Sequence, residues 1–561
     1  MDVIPSPKEL GLPQKFQSFR PFQVEALEKI LATGKRWILL QAPTGTGKTL
    51  IAAAWQKIAR QTMLYTCTTK DLQDQFVRDF PYAVELKGRE NYPTPFSPKI
   101  STALCTKTKS DPRCKWCCPP ECYREAPCLA TGYCTGERKC PYEMQKKAAL
   151  AAPLAVLNTA LFLNEANHVG GFSKNKRVIV FDEADLLESS LMSFVEVSIS
   201  GAMIQKLGLT PPTKKTVEEA WMEWIDHEAI PKIQKRLAEL EDPGNKWQTT
   251  NIREIRERND LNRALNKLMF FRAEVEHSPW ANCTEDVENG PWVWKPVYVS
   301  KFAEKYLWRH GDRFLLMSGT ILSRDQFCRN LGIPVDQTEY IDLPSVFPKE
   351  NRPIYFVPAA NMTHKTSEAE RPKLVEAVDS VLELHPDEKI LVHTVSYSLS
   401  RYIYEHSEHQ SRMVMYLDSG SRRETLEEYK CSPRPLVILA PSLERGIDLP
   451  DDLCRVIIVA KAPYRSLEDN QVRKRLYGSP DGRSWYAVDA IRTVIQMSGR
   501  GIRHERDWAK TYILDAQFGR LYKEWKYVFP SWWREALQTL SLTQLVEGGG
   551  SRDAKRLSSM V

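Results

Sequence analysis

Lys48 and Thr49 close the run Ala42-Pro43-Thr44-Gly45-Thr46-Gly47-Lys48-Thr49, where glycines stand just ahead of a lysine and a hydroxyl. Glycines at those places let backbone N–H groups close around phosphate oxygens, and a helix starting there adds positive potential. Lys48 is then placed to reach the β- and γ-phosphates of a nucleoside triphosphate, and Thr49 to hold Mg²⁺. Asp182-Glu183-Ala184-Asp185 is the acidic counterpart. Asp182 is expected to hold Mg²⁺ through water, and Glu183 to orient and deprotonate the attacking water. Phosphoryl transfer also needs positive charge on the γ-phosphate in the transition state. Gln496-Met-Ser-Gly499-Arg500-Gly-Ile-Arg503 offers two arginines three residues apart, which a helix would set on one face. Arg500 and Arg503 are the candidate arginine fingers, with Gln496 near the γ-phosphate or the attacking water.

These groups need elements that deliver them. Trp37–Gln41 is a short apolar run before the Gly-rich turn, and the stretch from Leu50 reads as a helix. Val178–Phe181 reads as a buried β-strand ending at the acidic motif. Further strand-like runs occur at Thr62–Tyr65, Phe314–Met317, Ile390–His393, Leu436–Ala440 and Val456–Ala460, with helical stretches between most of them. That alternation predicts an α/β fold of parallel sheets with helices on both faces. Three stripes at helical spacing break it: Val217, Trp221, Trp224 and Ile225; Ile230, Ile233, Leu237 and Leu240; Leu261, Leu265, Leu268 and Met269. They predict a mainly helical insertion over 190–300.

The bulk numbers fit a multidomain protein. At 561 residues the chain exceeds what one core organises, and 42% apolar with 27% charged residues is ordinary for a globular protein. Neither a membrane span nor a secretion signal is expected, which points to the cytoplasm, or the nucleus in a eukaryotic host. The net charge of +7 permits a polyanionic partner. Eight of the 13 cysteines fall between Cys105 and Cys140: Cys105, Cys114, Cys117, Cys118, Cys122, Cys128, Cys134 and Cys140. In a reducing compartment such a cluster reads as metal ligands rather than disulfides. Four thiolates suffice for a [4Fe–4S] cluster or a tetrahedral Zn²⁺, and eight leave room for two centres. Cys114-x2-Cys117 with Cys122 resembles a zinc knuckle. Nearby Lys107, Lys109, Arg113, Lys115, Arg138 and Lys139, with Trp116 and Tyr123, offer charges for phosphates and rings for bases.

Taken in order, the motifs resemble those of the superfamily 2 helicases, and within them the XPD/DinG family, over residues 15 to 530. Arg20-Pro-Phe-Gln23 is similar to the adenine-side motif, and Thr66–Gln75 to motif Ia, which in such enzymes lies along the nucleic-acid backbone. Ser318-Gly319-Thr320 is similar to motif III, His393–Tyr397 to motif IV, Glu444–Asp448 to motif V, and Gln496–Arg503 to motif VI. Leu86–Tyr92 and Cys140-Pro-Tyr142 bracket the cysteines, and Leu157–Leu163 leads on to the acidic motif, as in that family. Three positions depart from its pattern. Asp185 stands where His is usual, Gly319 where Ala is usual, and Thr94 where the first cluster cysteine is usual.

The resemblance implies two RecA-like domains, with a cysteine-rich metal-binding insert and a helical arch in the first. The implied boundaries are 1–93, 146–189 and 301–332 for the first domain, 94–145 for the cysteine insert and 190–300 for the arch. Residues 333–545 form the second domain and 546–561 a disordered tail. ATP would lie between the domains, with Arg20, Gln23, residues 42–49, Asp182 and Glu183 on one side. Gly446, Asp448, Arg500 and Arg503 would face it from the other. Cys128, Cys134 and Cys140 resemble the closely spaced DinG trio, and Cys105 is the implied fourth ligand of a [4Fe–4S] cluster. The implied activity is that of a monomeric, 5′-to-3′ ATP-dependent helicase on single-stranded or forked DNA. The alternatives are a DEAD-type RNA helicase and a zinc-containing nucleic-acid-binding protein with a decayed ATPase core.

Overall fold

The computed structural model describes residues 4–94, 97–101, 141–169, 171–173, 175–214, 218–241, 252–363, 365–416, 418, 420–441, 449, 451–502 and 507–549. Cys105, Cys128, Cys134, Cys140, Gly446, Asp448 and Arg503 lie outside these residues.

Two seven-stranded sheets, parallel throughout, carry the chain. The first runs Thr338–Asp342, Trp37–Gln41, Arg313–Ser318, Val178–Asp182, Met63–Cys67, Leu154–Asn158, Val84–Glu85. Trp37–Gln41, Met63–Cys67 and Val178–Asp182 are buried along their whole length. Alternate side chains feed two cores. Leu39, Leu64, Ile179, Phe181, Phe314 and Leu316 point to one face; Ile38, Leu40, Tyr65, Val180, Leu315 and Met317 point to the other. The second sheet runs Met413–Met415, Val437–Ala440, Ile390–His393, Val456–Val459, Lys510–Asp515, Ile354–Ala360, Leu537–Thr539.

Several expected boundaries move. Thr338–Asp342 pairs in register with Trp37–Gln41, so the first sheet extends past the expected limit at 332. Its burial pattern is interrupted, because it is an edge strand, and it carries little apolar signal in the sequence. At the other end the helix Leu542–Gly549 runs past the expected start of the tail at 546.

The 190–300 insertion has the expected helices, Glu218–Trp224, Ile230–Glu241 and Ile252–Glu274. It also has an unexpected antiparallel sheet of Val197–Ile199, Trp292–Pro296 and Trp280–Asn282. Trp221, Trp224, Trp292 and Trp294 pack edge to face between those helices and that sheet. Met269 faces solvent, and Phe271 takes the buried place. This core is continuous with one face of the first sheet.

The two ends of the cysteine-bearing segment meet at a neck. Arg89 Nη2 donates to Glu143 Oε1 at 3.1 Å, and its guanidinium lies 4.4 Å from the Tyr142 ring centre. Tyr92 packs edge-on against Tyr142. Beneath them Glu165, almost wholly buried, accepts from Lys146 and from the Tyr142 hydroxyl. Among the described residues no helix is long and apolar enough to cross a membrane.

Candidate nucleotide site

The phosphate loop leaves the end of Trp37–Gln41 and runs into the helix Lys48–Ala59, the β-strand, turn and helix order that the sequence predicts. Gly47 has φ 78°, and a Cβ there would stand 2.5 Å from Gln23 Nε2, so only glycine allows the close approach. The adenine-side pair acts on this loop. Arg20 Nη1 donates to Gly45 O at 2.9 Å, and Gln23 Nε2 donates to Thr46 O at 2.7 Å. Lys48 Nζ donates back to Ala42 O at 3.0 Å, and Thr46 Oγ1 to Pro43 O at 2.7 Å. The loop is a set cradle with a cation at its rim.

The neighbouring β-strand delivers Asp182 and Glu183. Asp182 is buried; its Oδ2 accepts from the Tyr65 hydroxyl at 2.6 Å and its Oδ1 from the Glu183 amide at 3.0 Å. Burial, and then the Asp182 charge, hold the Tyr65 phenol well above its usual range, so it keeps the proton it donates. Glu183 adopts left-handed backbone geometry, φ 51°, and its carboxylate accepts from Thr68 Oγ1. Glycine cradle, lysine, hydroxyl and oriented carboxylates together fit a nucleoside triphosphate with Mg²⁺.

Asp185, the departure from the family's usual His, joins the two domains. Its carboxylate accepts from Ser318 Oγ at 2.6 Å and from Thr320 Oγ1 at 3.2 Å. From the second domain Gln496 Nε2 donates to Thr320 Oγ1 at 2.8 Å, and Arg492 Nε to Thr320 O at 3.2 Å. Arg492 also stands 3.9 Å from Asp185 Oδ2. Gln496 therefore lies in the cleft, held on motif III. Arg492 was not anticipated: it sits one turn before Gln496 on the buried face of Gly482–Ser498, where a lone arginine carries no motif signal.

The helix ends at Ser498, so Arg500 lies in the turn beyond it and not on the helical face expected for it, while Arg503 is outside the described residues. There the charge of Arg500, added to complete burial, holds the His393 imidazole down to about 3. Both ring nitrogens of His393 lack a hydrogen-bond partner among the described residues. Between the domains Phe347 packs with Ile502 and Ala509, and its ring fills the space a Cβ on Gly45 would need. Further contacts tie the second domain to the insertion: Lys295 to Asp469 at 3.0 Å, Gln471 Nε2 to Val297 O at 2.9 Å, and Asn470 Nδ2 to Asn282 O at 2.7 Å. Among the described residues no group of three or more His, Cys, Asp or Glu side chains could hold a metal ion.

Two parallel-sheet domains, with the phosphate loop and acidic motif on one and the Gln496 helix reaching over from the other, form a cleft fitted to a nucleoside triphosphate. Comparison with known proteins shows what the chain is similar to. The family "Type III restriction enzyme, res subunit" matches residues 17–210, and "Helicase C-terminal domain" matches 378–536. The ATP-dependent DNA helicase YoaA of Haemophilus influenzae is 23% identical, the match covering 90% of this chain and 92% of that protein. YoaA of Escherichia coli is 22% identical over 85% of this chain and 88% of its own length. DinG of Photobacterium profundum is 25% identical over 39% of this chain and 34% of its own length. A solved XPD helicase superposes with a TM-score of 0.61 at 16% identity, covering 93% of this chain and 100% of that one. The chain is thus similar in sequence to the YoaA and DinG helicases and in fold to an XPD helicase.

Proposed function

We propose that the chain is an ATP-dependent DNA helicase that hydrolyses ATP between its two sheet domains while tracking 5′ to 3′ along a single DNA strand. The observation that carries this reading is the junction at Thr320. Asp185, three residues past Asp182 of the acidic motif, and Gln496 and Arg492, from the opposite domain, all bond to it. Any change at the phosphate site is thereby felt across the cleft, as a motor requires. DNA as the track is supported by the names of the YoaA and DinG relatives.

Lys48, Thr49 and, through water, Asp182 are the residues that would hold the phosphates and Mg²⁺, which when bound neutralises charge on the β- and γ-oxygens. Glu183 orients the attacking water and accepts its proton. Arg500, with Arg503, meets the charge that builds up on the γ-phosphate. Cys105, Cys128, Cys134 and Cys140 would hold a [4Fe–4S] cluster, with Zn²⁺ as the competing metal, in a monomeric cytoplasmic protein.

Wild-type protein should hydrolyse ATP faster with single-stranded DNA than with RNA of equal length, and Lys48→Ala should abolish both rates. It should displace a duplex carrying a 5′ tail and not one carrying a 3′ tail. Stimulation by RNA alone would instead favour the DEAD-type RNA helicase. Anaerobic protein should contain iron and acid-labile sulfide; a colourless protein with zinc only would sink the cluster and leave the motor standing.

A further inference from the structure

The base expected to activate water is tied to the segment expected to touch DNA. Thr68 Oγ1 donates to Glu183 Oε2 across neighbouring β-strands. Its backbone stands where a rigid element ends and another begins. Behind it, Met63–Cys67 is fixed to Val178–Asp182: Thr66 pairs with Phe181, Thr66 Oγ1 donates to Val180 O at 3.0 Å, and Thr159 Oγ1 holds Cys67 O at 3.2 Å. Ahead of it, Thr69 caps the helix Lys70–Asp79 by accepting from Leu72 N at 3.3 Å, and Lys70 is exposed beside the cap. A load on Thr69 or Lys70 therefore passes to Thr68 along one or two residues of backbone. Thr159, Asp182, Leu187 and Ser190 surround the pair.

A carboxylate that accepts a hydrogen bond from a hydroxyl is held toward its donor. We propose that Thr68 is a positioning residue that restrains Glu183, and that a DNA strand seated on Thr66–Gln75 draws Thr68 away and frees the carboxylate for the attacking water. The inference rests on the helicase reading, because it assigns the DNA track to that segment. Linkage fixes the reverse effect: if a DNA strand breaks the bond, the bond opposes binding of the strand.

The test compares the full-length wild type, Thr68→Val and Thr68→Ser. ATP turnover is measured with and without oligo(dT), and oligo(dT) affinity is measured by fluorescence anisotropy without nucleotide. Thr68→Val keeps the shape and loses the donor. Its DNA-free turnover should rise severalfold, its stimulation ratio should collapse toward one, and it should bind oligo(dT) about two- to tenfold more tightly, the worth of one hydrogen bond not broken. Thr68→Ser should restore the wild-type ratio and affinity. Two Thr68→Val results overturn the proposal: a wild-type ratio with wild-type affinity, or weaker binding with an unchanged DNA-free rate, which would make Thr68 a mere DNA contact. A wild type that oligo(dT) does not stimulate overturns the helicase reading itself.

Discussion

The two sheets are built alike and used differently. Both have seven parallel β-strands, and in both the central strands are buried throughout. In the first, the strand Trp37–Gln41 opens into a glycine loop and Val178–Asp182 into carboxylates, so its ends present polar groups to the cleft. In the second, Ile390–His393 ends in a wholly buried imidazole without partners among the described residues, and the cleft is reached by the helix Gly482–Ser498 instead. The same scaffold thus supplies a binding floor on one side and a set of donors on the other. Chemistry follows what hangs from the strand ends, not the sheet.

That contrast can be broken from either side. Lys48→Ala should cost the most, with ATP turnover falling by about 10²–10³-fold or more, because the floor loses the lysine that reaches the β- and γ-phosphates. Arg500→Ala should lower turnover by a similar order while leaving nucleotide affinity within a few-fold; loss of affinity alone would make Arg500 part of the floor. Asp185→Asn and Arg492→Met should each slow DNA-stimulated turnover by about tenfold, and the double variant should be no worse than either, as expected of residues acting as one unit. Strictly multiplied losses would separate the junction at Thr320 into independent parts.

The smallest expected effect concerns stability. The unfolded His393 imidazole takes a proton near its ordinary 6.5, and the folded one only near 3. Between those values the unfolded chain binds more protons, so stability is lost as pH falls. Linkage gives about 2 kcal/mol lost between pH 6.5 and pH 5. Thermal melts across that range should show a shallower slope for His393→Leu than for wild type.

What the sequence made legible was the first sheet's half of the site. Gly45, Gly47, Lys48, Thr49, Asp182 and Glu183 form contiguous strings whose spacing is dictated by phosphate geometry. Edge strands such as Val84–Glu85 and Met413–Met415 are too short to carry a pattern, and Thr338–Asp342 carries one only along its buried positions. Tyr65, Thr68 and Arg492 escaped notice for another reason. Each acts through contacts with residues far along the chain, and no local spacing reports such partners. The three-residue spacing of Arg500 and Arg503 suits a helical face, but the helix stops at Ser498 with its cap at Gly499.

The neck formed by Arg89, Tyr92, Tyr142 and Glu143 bears on assembly of the proposed metal centre. Drawing the ends of a long chain segment together costs entropy, roughly (3/2)RT ln n for n residues. The neck meets that cost within the first domain. A metal bound by the intervening cysteines, as proposed, would not have to bring those distant ends together. Protein stripped of metal should accordingly keep the melting of its motor core and regain metal in a single-phase, concentration-dependent reaction. Arg89→Ala should slow that uptake more than it lowers the melting temperature.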